Sequence, residues 1–278
     1  MKPRVMSLVL FTCMVGLLIA PKEVSFINSM LSLLAVALGA GAAGTLNMWY
    51  ESDLDALMTR TCLRPIPRGK INRNQALVFG VILSILSIVG LYYSSNLISA
   101  IILSVTIIFY FFIYTIWLKR KTPQNIVIGG ASGALPPVIG WTIATNNLTL
   151  EPITFFLIIF FWTPSHFWAL SLFKADDYKK ANIPMLPLTS GVENTKKNIL
   201  VYSILMLPVI ILPYLIGFVG NIYLVSSVFL TIYYIYLCYE LYNFKKNKFE
   251  ILKAKKVFSY SILYLFLVFV LFLVDKIF

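Results

Sequence analysis

The sequence predicts an all-α fold, a bundle of nine membrane-spanning helices. Three observations predict it. Only 12% of the 278 residues are charged and 59% are hydrophobic, whereas soluble domains are about a quarter charged. Apolar runs recur at the length of roughly 20 residues that a helix needs to cross a bilayer. The basic residues collect at alternate ends of those runs. No period-2 strand series is present, which argues against a barrel. The apolar and aromatic content excludes a disordered chain.

In chain order the runs cover 5–20, 25–50, 76–94, 97–118, 125–144, 151–173, 198–219, 221–241 and 257–274. Short polar turns split three adjacent pairs: Ser94-Ser95-Asn96, Asn146-Asn147 and Gly220-Asn221. Too little chain lies between the runs for a separate soluble domain. Residues 1–278 therefore read as one transmembrane domain. With four spans in each of two halves (helices 1–4 and 5–8) and helix 9 appended, the halves would share one orientation, with a site at their interface.

Twenty-one of the 23 Lys and Arg residues fall in the N-terminus and in the loops after helices 2, 4, 6 and 8. Only Lys22 and Lys276 fall on the other side. By the positive-inside rule the N-terminus is cytoplasmic and the C-terminus external. The net charge of +12 is thus a topology signal, and no nucleic-acid partner is expected. Cys13, Cys62 and Cys238 have neither disulfide-framework nor zinc spacing. Pro21-Lys22-Glu23 makes a poor signal cleavage site, and no Arg- and Ser-rich leader precedes helix 1. A prokaryotic inner membrane is the natural compartment.

Acidic residues are scarce, so their placement is informative. Asn47, Glu51 and Asp55 are spaced i, i+4, i+8 at the cytoplasmic end of helix 2. On a helix they form one stripe, drifting about 40° per step. Asp53 lies about 200° from Glu51 if the helix continues. Oxygen ligands on one stripe suit a hard cation such as Mg²⁺, which takes carboxylates together with substrate phosphates. A solvated acidic helix end is the plainer alternative, but like charges at i, i+4 cost stability.

The second acidic pair, Asp176-Asp177, ends helix 6 on the same side. Two carboxylate clusters can hold metal between them. Arg60, Arg64, Lys119, Arg120 and Lys174 stand nearby in sequence or topology, as do Lys179 and Lys180. Cations around carboxylates and a metal describe a diphosphate site. Small-residue runs, Gly39–Gly44 and Gly129–Ala134, offer close helix packing or room for a long apolar substrate. His166 is the only histidine and lies inside helix 6, eleven residues before Asp177 and on about the same helical face. A histidine inside a span is a functional candidate; a packed histidine beside Pro164 is the alternative.

These residues carry a resemblance along the whole chain. The sequence resembles the heme farnesyltransferase (heme O synthase) branch of the UbiA superfamily of intramembrane prenyltransferases. The shared features are Lys2-Pro3-Arg4, Asn47 through Asp55, Arg60, Arg64-Pro65, Thr122-Pro123-Gln124-Asn125 through Gly130, His166-Phe167-Trp168 and Asp176-Asp177-Tyr178 with Pro184–Pro187. The Thr122–Gly130 and His166–Pro187 blocks are the ones specific to the heme branch. The family often has Asp at position 51 and Gly at position 182, where this chain has Glu51 and Asn182. Family members usually carry more residues before Lys-Pro-Arg, which implies a shortened start here.

The resemblance implies a UbiA-type bundle that uses Mg²⁺ to join farnesyl diphosphate to heme b in a water-poor pocket. It implies metal and diphosphate roles for Asn47, Glu51, Asp53, Asp55, Asp176 and Asp177. Arg60, Arg64, Lys119, Arg120 and Lys174 would contact the diphosphate. His166 would meet the heme iron or a propionate, and Trp49 and Tyr50 would shield a carbocation. Membrane lipid is the surrounding medium, and a heme A synthase is a possible partner. Two rivals stand: a related enzyme prenylating a quinone precursor or chlorin, and a transporter or structural subunit. Transport paths place charges near the midplane, whereas here they gather at one rim.

Overall fold

The computed structural model describes residues 3–59, 61–244 and 250–278, with side chains from residue 6 onward. Every regular element among them is helical. Eight helical segments are long and apolar enough to cross a membrane, and a shorter apolar helix, Met6–Ile19, makes a ninth. Hydrophobic side chains cover the outer faces, Phe26, Ile82, Phe112 and Phe229 among them, as expected where lipid is the solvent. The protein is a polytopic membrane protein.

The elements are α1 (Pro3–Ile19), α2 (Phe26–Tyr50), α3 (Ser52–Leu57), α4 (Arg73–Ser94), α5 (Leu97–Ile108), α6 (Asn125–Ala134), α7 (Pro136–Thr145), α8 (Leu150–Phe173), α9 (Ala175–Lys180), α10 (Leu186–Thr189), α11 (Val192–Leu215), α12 (Asn221–Asn243) and α13 (Glu250–Ile277). A π-helical stretch, Phe109–Leu118, continues α5. The spans read from hydropathy survive with two changes. The run over 125–144 is two helices, because Pro136 and Pro137 cannot continue the hydrogen-bond ladder of α6 but suit the first turn of α7. The last and third-last spans begin earlier than hydropathy implied, at Glu250 and Val192, since their first turns are polar but helical.

Side-chain caps set several starts. Ser25 accepts from Asn28 N, Asn96 from Ser99 N, and Asn72 forms a capping box with Gln75. Asp275, from α13, caps α12 in trans: its carboxylate accepts from Gly220 N at 2.6 Å and Tyr223 N at 3.0 Å.

Packing closes the helices into a ring. α2 lies on α4, α6 on α8, α8 on α11 and α13, α12 between α11 and α13, and α13 returns to α1. Lys276 secures this closure by donating to Leu18 O at 2.7 Å. α1 lies close against α7 and joins both large cores. One holds Val15 and Ile19 with Trp141, Phe155 and Phe269; the other holds Cys13 and Leu17 with Leu103 and Ile139.

Two glycines permit the α1–α7 contact. A Cβ on Gly140 would sit 1.9 Å from Cys13 O, and one on Gly16 would sit 2.1 Å from Pro137 O. Both obstacles are backbone, which cannot rotate away. The Gly129-Gly130 pair serves packing too: a Cβ there would meet the Tyr114 ring and Thr163. Gly133 has open space around its Cβ position. Gly140→Ala is therefore expected to cost about 3 kcal/mol or more through overpacking. Gly133→Ala should leave stability unchanged or slightly raised. Thermal unfolding of the detergent-solubilised variants measures both, and equal melting temperatures would contradict the close-approach reading.

Candidate active site

The acidic stripe survives a local break. α2 ends at Tyr50, and Glu51 leaves ideal helical geometry at φ −93°, ψ 13°. Yet Glu51 N still bonds Asn47 O at 2.9 Å, and Asp55 N bonds Glu51 O at 2.8 Å. The i, i+4 register passes through the break, so Asn47, Glu51 and Asp55 remain on one face. All three are buried, at 0%, 1% and 1% exposure. Asp53 faces elsewhere, as its angular offset requires, and its side chain is 55% exposed.

Buried carboxylates need compensation. Lys119 Nζ lies 2.5 Å from Glu51 Oε2. Arg64 Nη1 reaches both oxygens of Asp55, at 2.8 and 2.7 Å. Arg120 spans both oxygens of exposed Asp53, at 3.0 and 3.2 Å, and lies over the Tyr50 ring. Partial burial would raise the Asp53 pKa, but the Arg120 hydrogen bond and charge reverse this and hold it below the usual carboxylate value.

The π-helical stretch positions the cations. It widens the turn, so that Lys119 N bonds Tyr114 O five residues back. Thr115 donates to Tyr110 O at 2.8 Å and accepts from Asn47 Nδ2 at 3.0 Å. The same stretch thus meets Asn47 through Thr115 and Glu51 through Lys119. Phe111, from this stretch, packs beside Trp49 and Tyr50, with ring centroids 6.1 and 6.4 Å away.

Thr59, four residues after Asp55, donates to the Asp177 carboxylate and so ties α9 to the segment that follows α3. That hydrogen bond, with the charges of Lys174 and Lys180, outweighs burial and keeps the Asp177 pKa below the ordinary 3.8. Beneath it an apolar knot joins the two loops: Leu54 and Met58 pack with Ile126, Tyr178, Ile183 and Met185. Asn182 turns the chain into this knot at φ +51°. Asn tolerates the left-handed region better than most residues, and Gly does so freely, which accounts for either residue there. Asp176 points outward and is exposed.

Not every expectation about these residues survives. α8 stops at Phe173, and Lys174 breaks the helix at φ −122°, ψ 18°. Asp177 belongs to the separate α9, so it does not share a continuous helical face with His166. His166 is instead packed in the span, with Nδ1 2.6 Å from Ser261 Oγ. Arg60 lies outside the described residues. Thr59 and Thr115 lie in segments that carry the resemblance, Met58-Thr59-Arg60-Thr61 and Tyr114-Thr115, but neither is expected from the sequence to take a role in the site. The available signal for Thr115 was the one aliphatic hydroxyl in an aromatic run, Phe109–Leu118, beside the phenols of Tyr110 and Tyr114.

The donor set fits a hard divalent cation. Among the described residues no three His, Cys, Asp or Glu side chains are gathered closely enough to cage an ion. Mg²⁺ does not require such a cage, since it commonly uses one or two carboxylates with substrate phosphates and water. Glu51 Oε1 is buried without a hydrogen-bond partner, an unfilled acceptor of the right chemistry.

The model of the UbiA prenyltransferase family matches residues 9–263. The chain belongs to that family. It is 73% identical over 277 residues to a protein of Pelagibacter ubique (strain HTCC1062) named Protoheme IX farnesyltransferase, covering 100% of this chain and 91% of that one. A Parvibaculum lavamentivorans protein of the same name is 48% identical over 276 residues, covering 99% and 87%. Among solved structures, a digeranylgeranylglyceryl phosphate synthase superposes with TM-score 0.80 at 22% identity, covering 97% of this chain and 93% of that one. A UbiA homolog from Archaeoglobus fulgidus bound to GPP and Mg²⁺ gives 0.67 at 17% identity, covering 97% and 98%. These structures share the fold. The protein is a membrane prenyltransferase.

Lys119→Met is expected to cost about 3 kcal/mol, because it strands the buried Glu51 carboxylate. Adding Glu51→Gln should recover most of that loss. A double-mutant cycle of unfolding midpoints in detergent reads the coupling, and additive losses would contradict the pairing.

Proposed function

We propose that this enzyme transfers the farnesyl group of farnesyl diphosphate to a vinyl side chain of heme b, with addition of water, giving heme O and diphosphate. The observation that carries the acceptor and donor assignment is the 73% identity to a protoheme IX farnesyltransferase over nearly the whole of both chains. Buried Glu51 and Asp55, each paired with a cation from another segment, supply the chemistry that such a reaction needs.

Glu51 and Asp55, with Asn47 and Asp177, are the residues that would hold Mg²⁺; Asp53 and Asp176, both exposed, stand at the edge of this set. Mg²⁺ bound there would neutralise negative charge on the diphosphate oxygens. Arg64, Lys119, Arg120 and Lys174 stand beside those carboxylates as further partners for the leaving group; Arg60, outside the described residues, is a further candidate from the sequence alone. Arg offers planar two-point contacts, and Lys a point charge. Their donors stabilise the charge that develops as the C–O bond breaks and its electron pair leaves with diphosphate.

The farnesyl cation then requires a place without water. Trp49, Tyr50 and Phe111 form an aromatic cluster next to the acidic stripe, and aromatic faces attract cations. The vinyl π electrons form the new C–C bond to the farnesyl carbon. Water adds to the resulting heme-side cation and loses a proton, leaving a hydroxyl. The polar leaving group stays at the rim, and both apolar partners stay at the depth of the membrane.

We assign this rim to the cytoplasmic side of a bacterial inner membrane, with the N-terminus inside and the C-terminus outside. The distribution of Lys and Arg supports this orientation. The chain acts as one transmembrane domain, its site built from both of the four-span halves inferred from the sequence. A heme A synthase would be the class of partner that accepts the product.

The test is direct. Purified protein in lipid receives heme b, farnesyl diphosphate and Mg²⁺, and extracted hemes are weighed by mass spectrometry. A farnesylated, hydrated heme is expected, and EDTA should abolish it. Asp55→Asn and Asp177→Asn should each lower the rate at least a hundredfold while the protein remains folded in the membrane. Prenylation of a quinone precursor in place of heme would overturn the acceptor assignment. Near-normal turnover by both variants would overturn the site.

A further inference from the structure

Asn47 is the one member of the buried stripe Asn47, Glu51, Asp55 that is not a carboxylate. Its amide carries an acceptor oxygen on one branch and an NH₂ donor on the other, and the two branches have nearly the same shape. A hard cation needs the oxygen. A half-turn about the last side-chain bond would present two N–H groups instead. Asn47 is 0% exposed, so bulk water does not choose which way up the amide stands. The protein atoms around it choose.

Thr115 makes that choice. Its hydroxyl lies 3.0 Å from Asn47 Nδ2 and 2.8 Å from Tyr110 O, and Thr115 is itself 0% exposed. A carbonyl oxygen brings no hydrogen, so the single hydroxyl hydrogen of Thr115 lies on the Tyr110 side. Toward Asn47 the hydroxyl can then only accept. The amide must donate, which puts Nδ2 at Thr115 and turns Oδ1 away from it. The reversed amide would set two acceptor oxygens against each other without water between them, and buried polar groups without a partner are costly.

The π-helical stretch supports this arrangement. In an α-helix a threonine hydroxyl bonds the carbonyl three or four residues back. Here the acceptor is five residues back, in the register of the wider turn. The hydroxyl hydrogen is committed inside the stretch, and the oxygen's remaining lone pair is left to α2.

We propose that Thr115 is a positioning residue for metal binding, holding the Asn47 amide so that Oδ1 rather than the NH₂ group is presented beside Glu51 and Asp55. This deepens the reading of a metal-held diphosphate above and rests on it. Thr115 acts through Asn47. Side chains that orient a metal ligand are typically worth roughly 10- to 100-fold in metal affinity.

Binding of Mn²⁺, used in place of Mg²⁺, to full-length protein in lipid nanodiscs with farnesyl thiodiphosphate is followed by EPR. Affinity for farnesyl thiodiphosphate in EDTA and the unfolding midpoint are measured on the same samples. Thr115→Val keeps the shape of the side chain and removes the hydroxyl. It should weaken Mn²⁺ binding by roughly 10- to 100-fold and leave the metal-free affinity as it is. Thr115→Ser, which keeps the hydroxyl, should bind Mn²⁺ as the wild type does. Asn47→Asp supplies the readout that a merely structural threonine would not move. A carboxylate presents oxygen on both branches, so in the Asn47→Asp background Thr115→Val should cost little metal affinity. Thr115→Ala, which also lacks the hydroxyl, takes the place of Thr115→Val in the same cycle if the valine variant does not fold.

Wild-type Mn²⁺ affinity in the variant without the hydroxyl would overturn this inference and leave the metal reading standing. A loss equally large in the Asn47→Asp background would also overturn it, because Thr115 would then act on something other than the orientation of the amide. A wild-type protein that binds farnesyl thiodiphosphate but no Mn²⁺ with it would overturn the metal reading and this inference together.

Discussion

Two carboxylates buried at the rim of the bundle constrain everything around them. Glu51 and Asp55 are each 1% exposed, and a charge so placed is costly unless it is paired. Neither partner comes from the helix that carries the carboxylate. Arg64 comes from the loop after α3, and Lys119 from the end of the π-helical stretch. The pairs therefore tie three segments together at one point. Their net worth to stability is small, because desolvation offsets most of the attraction. A purely structural bundle would gain as much from apolar side chains there. Ionic groups are useful at such a rim when a charged ligand must be received.

The neighbouring structure serves the same point. The π-helical turn carries Thr115 to Asn47 and Lys119 to Glu51. The apolar knot of Leu54, Met58, Tyr178 and Ile183 draws α9 to α3, and Thr59 completes the link to Asp177. Elsewhere in the bundle Gly16 and Gly140 let α1 and α7 approach to backbone contact. His166 is held by aromatic stacking and one hydroxyl. The result is a polar rim over an apolar interior, which matches a substrate with a diphosphate head and a long hydrocarbon tail.

Much of this was legible in the sequence. The spans follow from hydropathy because lipid forces every backbone group into a helix. The stripe Asn47, Glu51, Asp55 follows from spacing, and the i, i+4 bonds preserve it through the break at Glu51. Asp53 faces away, as its angle demands. Other features follow from tertiary geometry and were hidden. The apolar run ends at 173, as α8 does, but the chain turns helical again at once in α9, and a face extrapolated from His166 to Asp177 misses the break at Lys174 between them. The ten-residue π stretch has no sequence signature, because it depends on where Lys119 and Thr115 find partners. Thr59 and Thr115 are ordinary residues until the fold sets them beside Asp177 and Asn47.

The central claim is that the buried carboxylates and their cations receive a metal-bound diphosphate. Binding of a non-ionisable farnesyl thiodiphosphate to the protein in lipid, with and without Mg²⁺, tests it most directly. Affinity should rise at least tenfold with Mg²⁺, and Glu51→Gln should remove that rise. Equal affinity with and without the metal, or a Mg²⁺ effect untouched by Glu51→Gln, would contradict it.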